Sequence, residues 1–241
     1  MYPPLLTELK RARALGLALP VYRQIRAAHL HLLPSLDLLR RGLVLDLGAN
    51  VGDWSAAVLR AAPDALIVAV EPAPDPREVL TRRLGSQITI DARAISDTIG
   101  NAPFHITRHS HNASLHSPRP GTDALYGGLA GWEVKDTLTV ETTTVDTLAA
   151  GRSVAVLKVD VQGSEREVLA GAERTLPQTQ AVLLEVTFVS HYQGDATFPW
   201  LHNFLADEGF ELVGLSDPFV SQQGRVLWCD ACYLRHRGTG M

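Results

Sequence analysis

The hydrophobic rhythm of the chain changes at Leu43. Before it, Leu5, Leu9, Leu15 and Leu19, then Ile25, Leu32, Leu33 and Leu36, recur at helical spacing. They predict two amphipathic helices, broken near Pro20, within an N-terminal extension of residues 1–41. From Leu43 onward, short continuous apolar runs alternate with longer amphipathic ones. "LVLDLG", "LIVAVEP", "QITIDARAI", "SVAVLKVDV" and "AVLLEVTF" read as strands. "DWSAAVLRAA", "DPREVLTRRL", "SEREVLAGAERTL" and "FPWLHNFLADEGF" read as helices. Apolar strands separated by helices mean a mostly parallel sheet covered on both faces. "ELVGLSD" and "VLWCDACYLR" close as an antiparallel hairpin. Residues 97–150 interrupt the alternation with short strands, "APFHITRH" and "TLTVET", and the helical "VDTLAA". The pattern therefore predicts an α/β, Rossmann-like domain over residues 42–241, with 97–150 as an insertion.

The 241 residues and 46% apolar content suffice for one core with an appendage. Net charge is −4. Residues 1–41 hold seven Lys/Arg against Glu8 and Asp37, a net of +5, which leaves −9 on the rest. No global attraction to nucleic acid follows. The extension reads as a helical lid or edge on the sheet, with a homodimer arm or a membrane-surface helix as alternatives. No apolar run approaches the ~18–20 residues of a membrane span, and no leader with a cleavage site is readable. Two cysteines cannot staple a chain of this size, so a reducing, cytoplasmic compartment is expected. On a strand, Cys229 and Cys232 would face opposite ways about 10 Å apart, too far for a disulfide.

The sharpest chemistry lies where the first strand ends, in "VLDLGANVGDW" from Val44 to Trp54. Ligands of doubly wound sheets sit at the carboxyl ends of strands. Gly48 and Gly52 permit a tight turn and close backbone approach. The dinucleotide fingerprint, counted from Gly48, would need glycines at Asn50 and Asp53, so it fails. Asp46, together with Asp53 read as a helix N-cap, puts negative charge where a pyrophosphate would sit. A cationic or zwitterionic, phosphate-free ligand is expected, and S-adenosylmethionine meets that demand. Asp46 is expected to receive its ammonium, directly or through water. The backbone of the turn, Gly48, Ala49, Asn50 and Gly52, is expected to take its carboxylate. Glu71, followed by Pro72, ends the second strand and is placed for both ribose hydroxyls. Trp54 would flank the cofactor, and Arg93, Ala94 and Ile95 would border the adenine.

"VLDLGANVGDW", "VEP", "TTTVDTL", "LKVDVQGSEREVLAGA" and "LLEVTF" follow in this order. From Val44 to Phe210 the chain resembles the FkbM family of methyltransferases. The resemblance implies a class I fold with a seven-stranded sheet and S-adenosylmethionine as donor. It also implies, usually, O-methylation of a sugar, polyketide or other secondary metabolite. The family usually carries Asp-x-Glu-Gly-x-Glu; here the stretch is Asp160, Val161, Gln162, Gly163, Ser164, Glu165, so position 162 is neutral. The resemblance also sets His111, Asn112 and Ser114 near the small-molecule acceptor, with the insertion and the N-terminal helices shaping its pocket.

A hydroxyl acceptor gains from a base or a metal that takes its proton. Asp160, ending the fourth strand, is the first candidate for base or orienting group; the alternative is a turn acid for the next helix. Glu165, at that helix's start, suits the dipole. Glu185 lies in an apolar strand, where an acid is costly unless functional or paired; Lys158 is a possible partner. His191 is a second candidate base or a solvated loop histidine. His105, His109, His111 and His116 do not follow a zinc-ligand spacing, and no metal site is assigned, although a divalent ion at Asp160 and Glu185 stays open. Two rivals remain. A nucleotide-dependent oxidoreductase would be stabilised by a nicotinamide dinucleotide. A non-catalytic module would bind the donor and release no S-adenosylhomocysteine.

Overall fold

The computed structural model describes residues 5–14, 18–128 and 131–236. Helices α1 (Leu5–Ala14) and α2 (Leu19–Ala27) come first. Pro20 stands in the first turn of α2, where its missing N–H costs nothing, so the break falls just before it. Of the apolar positions expected here, Leu15 lies outside the described residues. Two short 3-10 turns lead to β1 (Leu43–Leu47), followed by α3 (Asp53–Ala61), β2 (Leu66–Val70), α4 (Pro74–Leu84) and β3 (Thr89–Asp91). The insertion holds β4 (Ala94–Ile95), β5 (Gly100–Thr107), α5 (Thr122–Leu125) and β6 (Val134–Thr143). Helix α6 (Val145–Ala149) returns the chain to β7 (Val154–Val159), α7 (Glu165–Ala170), β8 (Thr179–Thr187) and α8 (Phe198–Asp207). Strands β9 (Phe210–Leu215), β10 (Phe219–Val220) and β11 (Val226–Arg235) end it.

The main sheet runs β10-β11-β8-β7-β1-β2-β3, and β9 also pairs with β11. Strands β3, β2, β1, β7 and β8 are parallel; β11 is antiparallel to β8, β9 and β10. Both β9 and β10 lie along the same partner, β9 on its last residues and β10 on its first. Eight strands therefore fill the seven positions expected. The expected strand "QITIDARAI" divides in two: β3 closes the main sheet, whereas β4 joins β6 and β5 in a separate three-stranded sheet. Arg93 bends back onto Asp91 through its backbone N–H (2.9 Å) and its guanidinium (2.6 Å), and the chain turns there. Helix α7 is shorter than "SEREVLAGAERTL" predicted. A Cβ on Gly171 would lie 2.4 Å from the Ser96 carbonyl, and the Gly171 carbonyl accepts from the Asp146 N–H at 3.0 Å. The return from the insertion docks where the helix would have continued.

Alternation along β1 and β7 feeds two cores. Leu43, Leu45, Leu47, Leu157 and Val159 join one; Val44 and Val156 join the other, together with Ile25, Leu30 and Leu39 of the N-terminal segment. That segment is thus built into one face of the sheet. Cys229 belongs to the first core and Cys232 to the second, both as free thiols. Burial pushes their pKa values up to about 11 and about 12, which keeps both protonated. Asp46 and Lys158 follow Val44 and Val156 on the second face. They are in register on adjacent strands, so their side chains meet: Nζ lies 3.1 Å from Asp46 Oδ1. Asp46 is fully buried and Lys158 nearly so. Removing one partner of such a pair strands the other charge, at a cost of about 3–5 kcal/mol. Lys158→Met should therefore lower unfolding stability by about that amount, read from urea melts. Pairing it with Asp46→Asn should recover a large part of the loss.

Candidate active site

At the end of β1 the chain makes a turn that consumes its own donors. The N–H groups of Gly48 and Ala49 both go to the Val70 carbonyl, at 3.1 and 2.9 Å. Asn50 N–H goes to Glu71 Oε2 (2.8 Å), Val51 N–H to the Asn50 side chain (2.9 Å), and Gly52 N–H to the Ala49 carbonyl (2.8 Å). Asn50 holds φ +47°, Gly48 +77° and Gly52 +84°, the left-handed region that the closed loop requires. Gly48 is further constrained, because a Cβ there would fall 1.8 Å from the Asp160 carbonyl. From Gly48 to Gly52 the N–H groups expected to receive a ligand carboxylate are bonded within the protein. Asp53 is the first residue of α3 and not its N-cap, which is Gly52. Its carboxylate is exposed and paired with Arg83 at 2.8 Å.

Asp46 is also engaged. Besides Lys158, it accepts from Ser55 Oγ at 2.6 Å, and it is fully buried beneath the turn. The ammonium beside it is that of Lys158, at 3.1 Å from Oδ1. Lys158 also donates to the Gly48 carbonyl (2.9 Å) and lies 3.5 Å from Asp160. Burial works against its charge, but Asp46 and then Asp160 hold its pKa above the usual lysine value.

Glu71 is nearly buried and accepts the N–H groups of Asn50 and Ala73, both at 2.8 Å. Burial raises its pKa to about 7, against those two bonds. Its carboxylate borders a cavity of about 340 Å³ at the carboxyl ends of the parallel strands. Gly48, Asn50, Pro72, Ala94 and Ile95 line the same cavity, as do Asp160, Glu185, His191, His111 and Asn112. A second cavity of about 560 Å³ lies under α2 and α3; Ala49, Asp53 and Trp54 line it. The two share Gly48, Asn50, His111, Asp160, Glu185 and Trp228. Arg93 and Ser114 stay off both walls. Arg93 is held by Asp91, and the Ser114 hydroxyl accepts the His116 N–H at 2.9 Å inside the insertion. Among the described residues, no lysine or arginine lines the first cavity, while Glu71, Asp160 and Glu185 do.

The far half of that cavity is aromatic. His191 stacks on Trp132 at 5.6 Å and 11°, and Tyr192 meets Trp132 edge-on at 5.2 Å. Tyr126 Oη lies 3.0 Å from His191 Nε2. Burial lowers the His191 pKa to about 4, so the ring is neutral at physiological pH. Asp195 fixes the loop by accepting the backbone N–H groups of His191 (2.7 Å) and Tyr192 (3.0 Å). Trp132, Tyr126 and Tyr192 escape sequence reasoning because they come from two irregular segments with no periodicity. The one available signal is the run of polar and ring residues "SHYQGD" directly after β8. Among the described residues, no group of three or more histidine, cysteine, aspartate or glutamate side chains is arranged to hold a metal ion.

The Methyltransferase FkbM domain matches residues 46–212 of the chain. The chain is 28% identical to the 31-O-demethyl-FK506 methyltransferase FkbM of Streptomyces tacrolimicus, over 83% of this chain and 85% of that one. It is 27% identical to the 2-O-methyltransferase NoeI of Sinorhizobium fredii, over 71% and 73% of the two chains. The family match spans most of the chain, from the acid of β1 into the first residues of β9. This protein belongs to the FkbM methyltransferase family.

Proposed function

We propose that the protein transfers a methyl group from S-adenosylmethionine to a hydroxyl of a sugar, polyketide or other secondary metabolite. The observation that carries this reading is the charge of the cavity. Three acidic side chains border it: Glu71 with its pKa raised to about 7, Glu185 with its pKa raised well above the usual carboxylate range, and Asp160 3.5 Å from Lys158. No cationic side chain is among the described lining residues, and the turn beside it has no free N–H from Gly48 to Gly52. A pyrophosphate finds no counter-charge on that wall and no free N–H in the turn, which disfavours a nicotinamide dinucleotide. A sulfonium nucleoside finds negative charge at short range. The O-directed assignment draws on the names of the two relatives above.

In this reading Glu71 accepts the ribose hydroxyls with the lone pairs left free by its two backbone bonds. Ala94 and Ile95, both buried, form an apolar wall for the adenine. When bound, the donor supplies an electrophilic methyl group whose bonding electron pair leaves with sulfur. Asp160 and Glu185 face the acceptor, and Asp160 takes the proton of the attacking hydroxyl. The aromatic wall of Trp132, Tyr192 and Trp228 holds the acceptor ring and excludes water. His191, neutral and tethered to Tyr126, orients that wall. The whole neighbourhood loses little on closing, because its carboxylates and rings are already fixed.

Two measurements test the reading. Glu71 binds the ribose diol best when ionised. Affinity for S-adenosylmethionine, measured by calorimetry, should therefore rise between pH 6 and pH 8, following its value of about 7. Glu71→Gln should flatten that rise and weaken binding about 10- to 100-fold. An unchanged affinity, or stabilisation by NADH instead, would rule out this assignment. Asp160→Asn should bind the donor normally yet lose about 10²- to 10⁴-fold in turnover. The readout is S-adenosylhomocysteine release over a panel of sugar and polyketide alcohols.

A further inference from the structure

Asp160 and Glu185 lie on neighbouring strand ends, yet their surroundings differ. Asp160 has Lys158 Nζ 3.5 Å from one oxygen and Gln162 Nε2 2.6 Å from the other. Glu185 has only the same amide, at 3.5 Å. Among the described residues no lysine or arginine stands within ion-pair distance of it. The groups around Glu185 are mostly acidic: Asp160 on β7, Glu165 at the start of α7 and Asp230, its register partner on β11. Lys158 is the opposing cation, turned toward Asp46 and Asp160. Tyr126, Tyr192 and Cys229 also face it, and each stays protonated at neutral pH.

Gln162 sits between the two acids in a conformation that fixes its amide. Its φ is +59°, and the next residue, Gly163, has φ +101° with the Tyr192 ring packed where a Cβ would be. The Tyr192 hydroxyl donates to Gln162 Oε1 at 3.0 Å, sharing its proton with the Asn112 carbonyl at 3.1 Å. The amide oxygen is thereby held toward Tyr192, and the NH2 must face the carboxylates.

We propose that Gln162 is a positioning residue whose neutral amide, clamped by Tyr192, bridges the two acids so that Asp160 is the anion and Glu185 holds the proton. Asp160 then meets the acceptor as a base, while the Glu185 hydroxyl is a donor that fixes an acceptor oxygen. A carboxylate at 162 would make three acids share the same space, and the ordering of protons would be lost. This assignment rests on the reading of both acids as acceptor-facing.

Infrared spectra of the full-length protein without ligands locate the proton directly. At pH 9, well above the pKa values of about 7 to which burial raises Glu71 and Glu165, the carbonyl stretch of a protonated carboxyl should be present in the wild type. Glu185→Gln should remove it, and Asp160→Asn, which takes away the nearest anion, should lower the pH at which it is lost. Gln162→Glu should lower Tm more at pH 8 than at pH 5, whereas a purely structural loss would lower it equally at both. A wild-type spectrum without the band, a band that survives Glu185→Gln, or one that Asp160→Asn carries to higher pH would overturn the proposal. So would an equal fall of Tm at the two pH values. S-adenosylhomocysteine binding is measured in parallel. Its absence would sink the methyl-donor reading and leave the location of the proton unaffected.

Discussion

The ammonium of Lys158 is the contact on which the carboxyl end of the sheet depends. It is bonded to Asp46 on β1, to the Gly48 carbonyl in the turn that follows, and to Asp160 at the end of β7. Two parallel strands can be paired by backbone bonds alone, but those bonds do not fix how their ends diverge. A buried cation between two acids does, because each separation leaves an uncompensated charge in a poorly solvated place. Gly48 completes the arrangement, since it alone lets the two strand ends come within contact of each other.

From that constraint the rest of the cavity follows. With Asp46 neutralised by Lys158 and Ser55, the acid of the first strand is spent on structure. The acids that reach the cavity are Glu71 after β2 and Asp160 after β7, one strand away on either side, and Glu185 on β8, two strands away. Burial raises the pKa of Glu71 to about 7 and that of Glu185 well above its usual range. A negative, partly dry pocket of this kind is tolerable because each carboxylate takes N–H donors, and because aromatic rings close its far wall without adding charge.

The insertion and the loop after β8 matter for a related reason. Tyr192, in the loop after β8, joins the insertion through the Asn112 carbonyl and the β7 end through Gln162. Pro118 and Tyr192 also form an isolated antiparallel bridge. The aromatic half of the cavity is therefore held by contacts between segments distant in the chain, whereas Gly48, Asn50 and Glu71 are held within one β-α-β unit.

The distinction between local and distant contacts separates what the sequence by itself determined from what only the tertiary structure decided. Alternating apolar strands and helices determine the parallel sheet, its antiparallel edge and the place of the glycine turn, because those depend on periodicities of two and 3.6 residues along the chain. The presence of an acid at the end of β2, and of acids after β7 and in β8, is equally legible. Which acid faces a ligand is not. Asp46 and Glu71 look alike in sequence, and only the register of β1 against β7, which sets Lys158 beside Asp46, assigns one to structure and the other to the cavity. The aromatic wall and the Gln162 clamp lay beyond the sequence for the same reason. Their partners lie 30 to 80 positions away, for Tyr192 with Gln162 and Asn112, and no local pattern encodes a contact that a fold must first create.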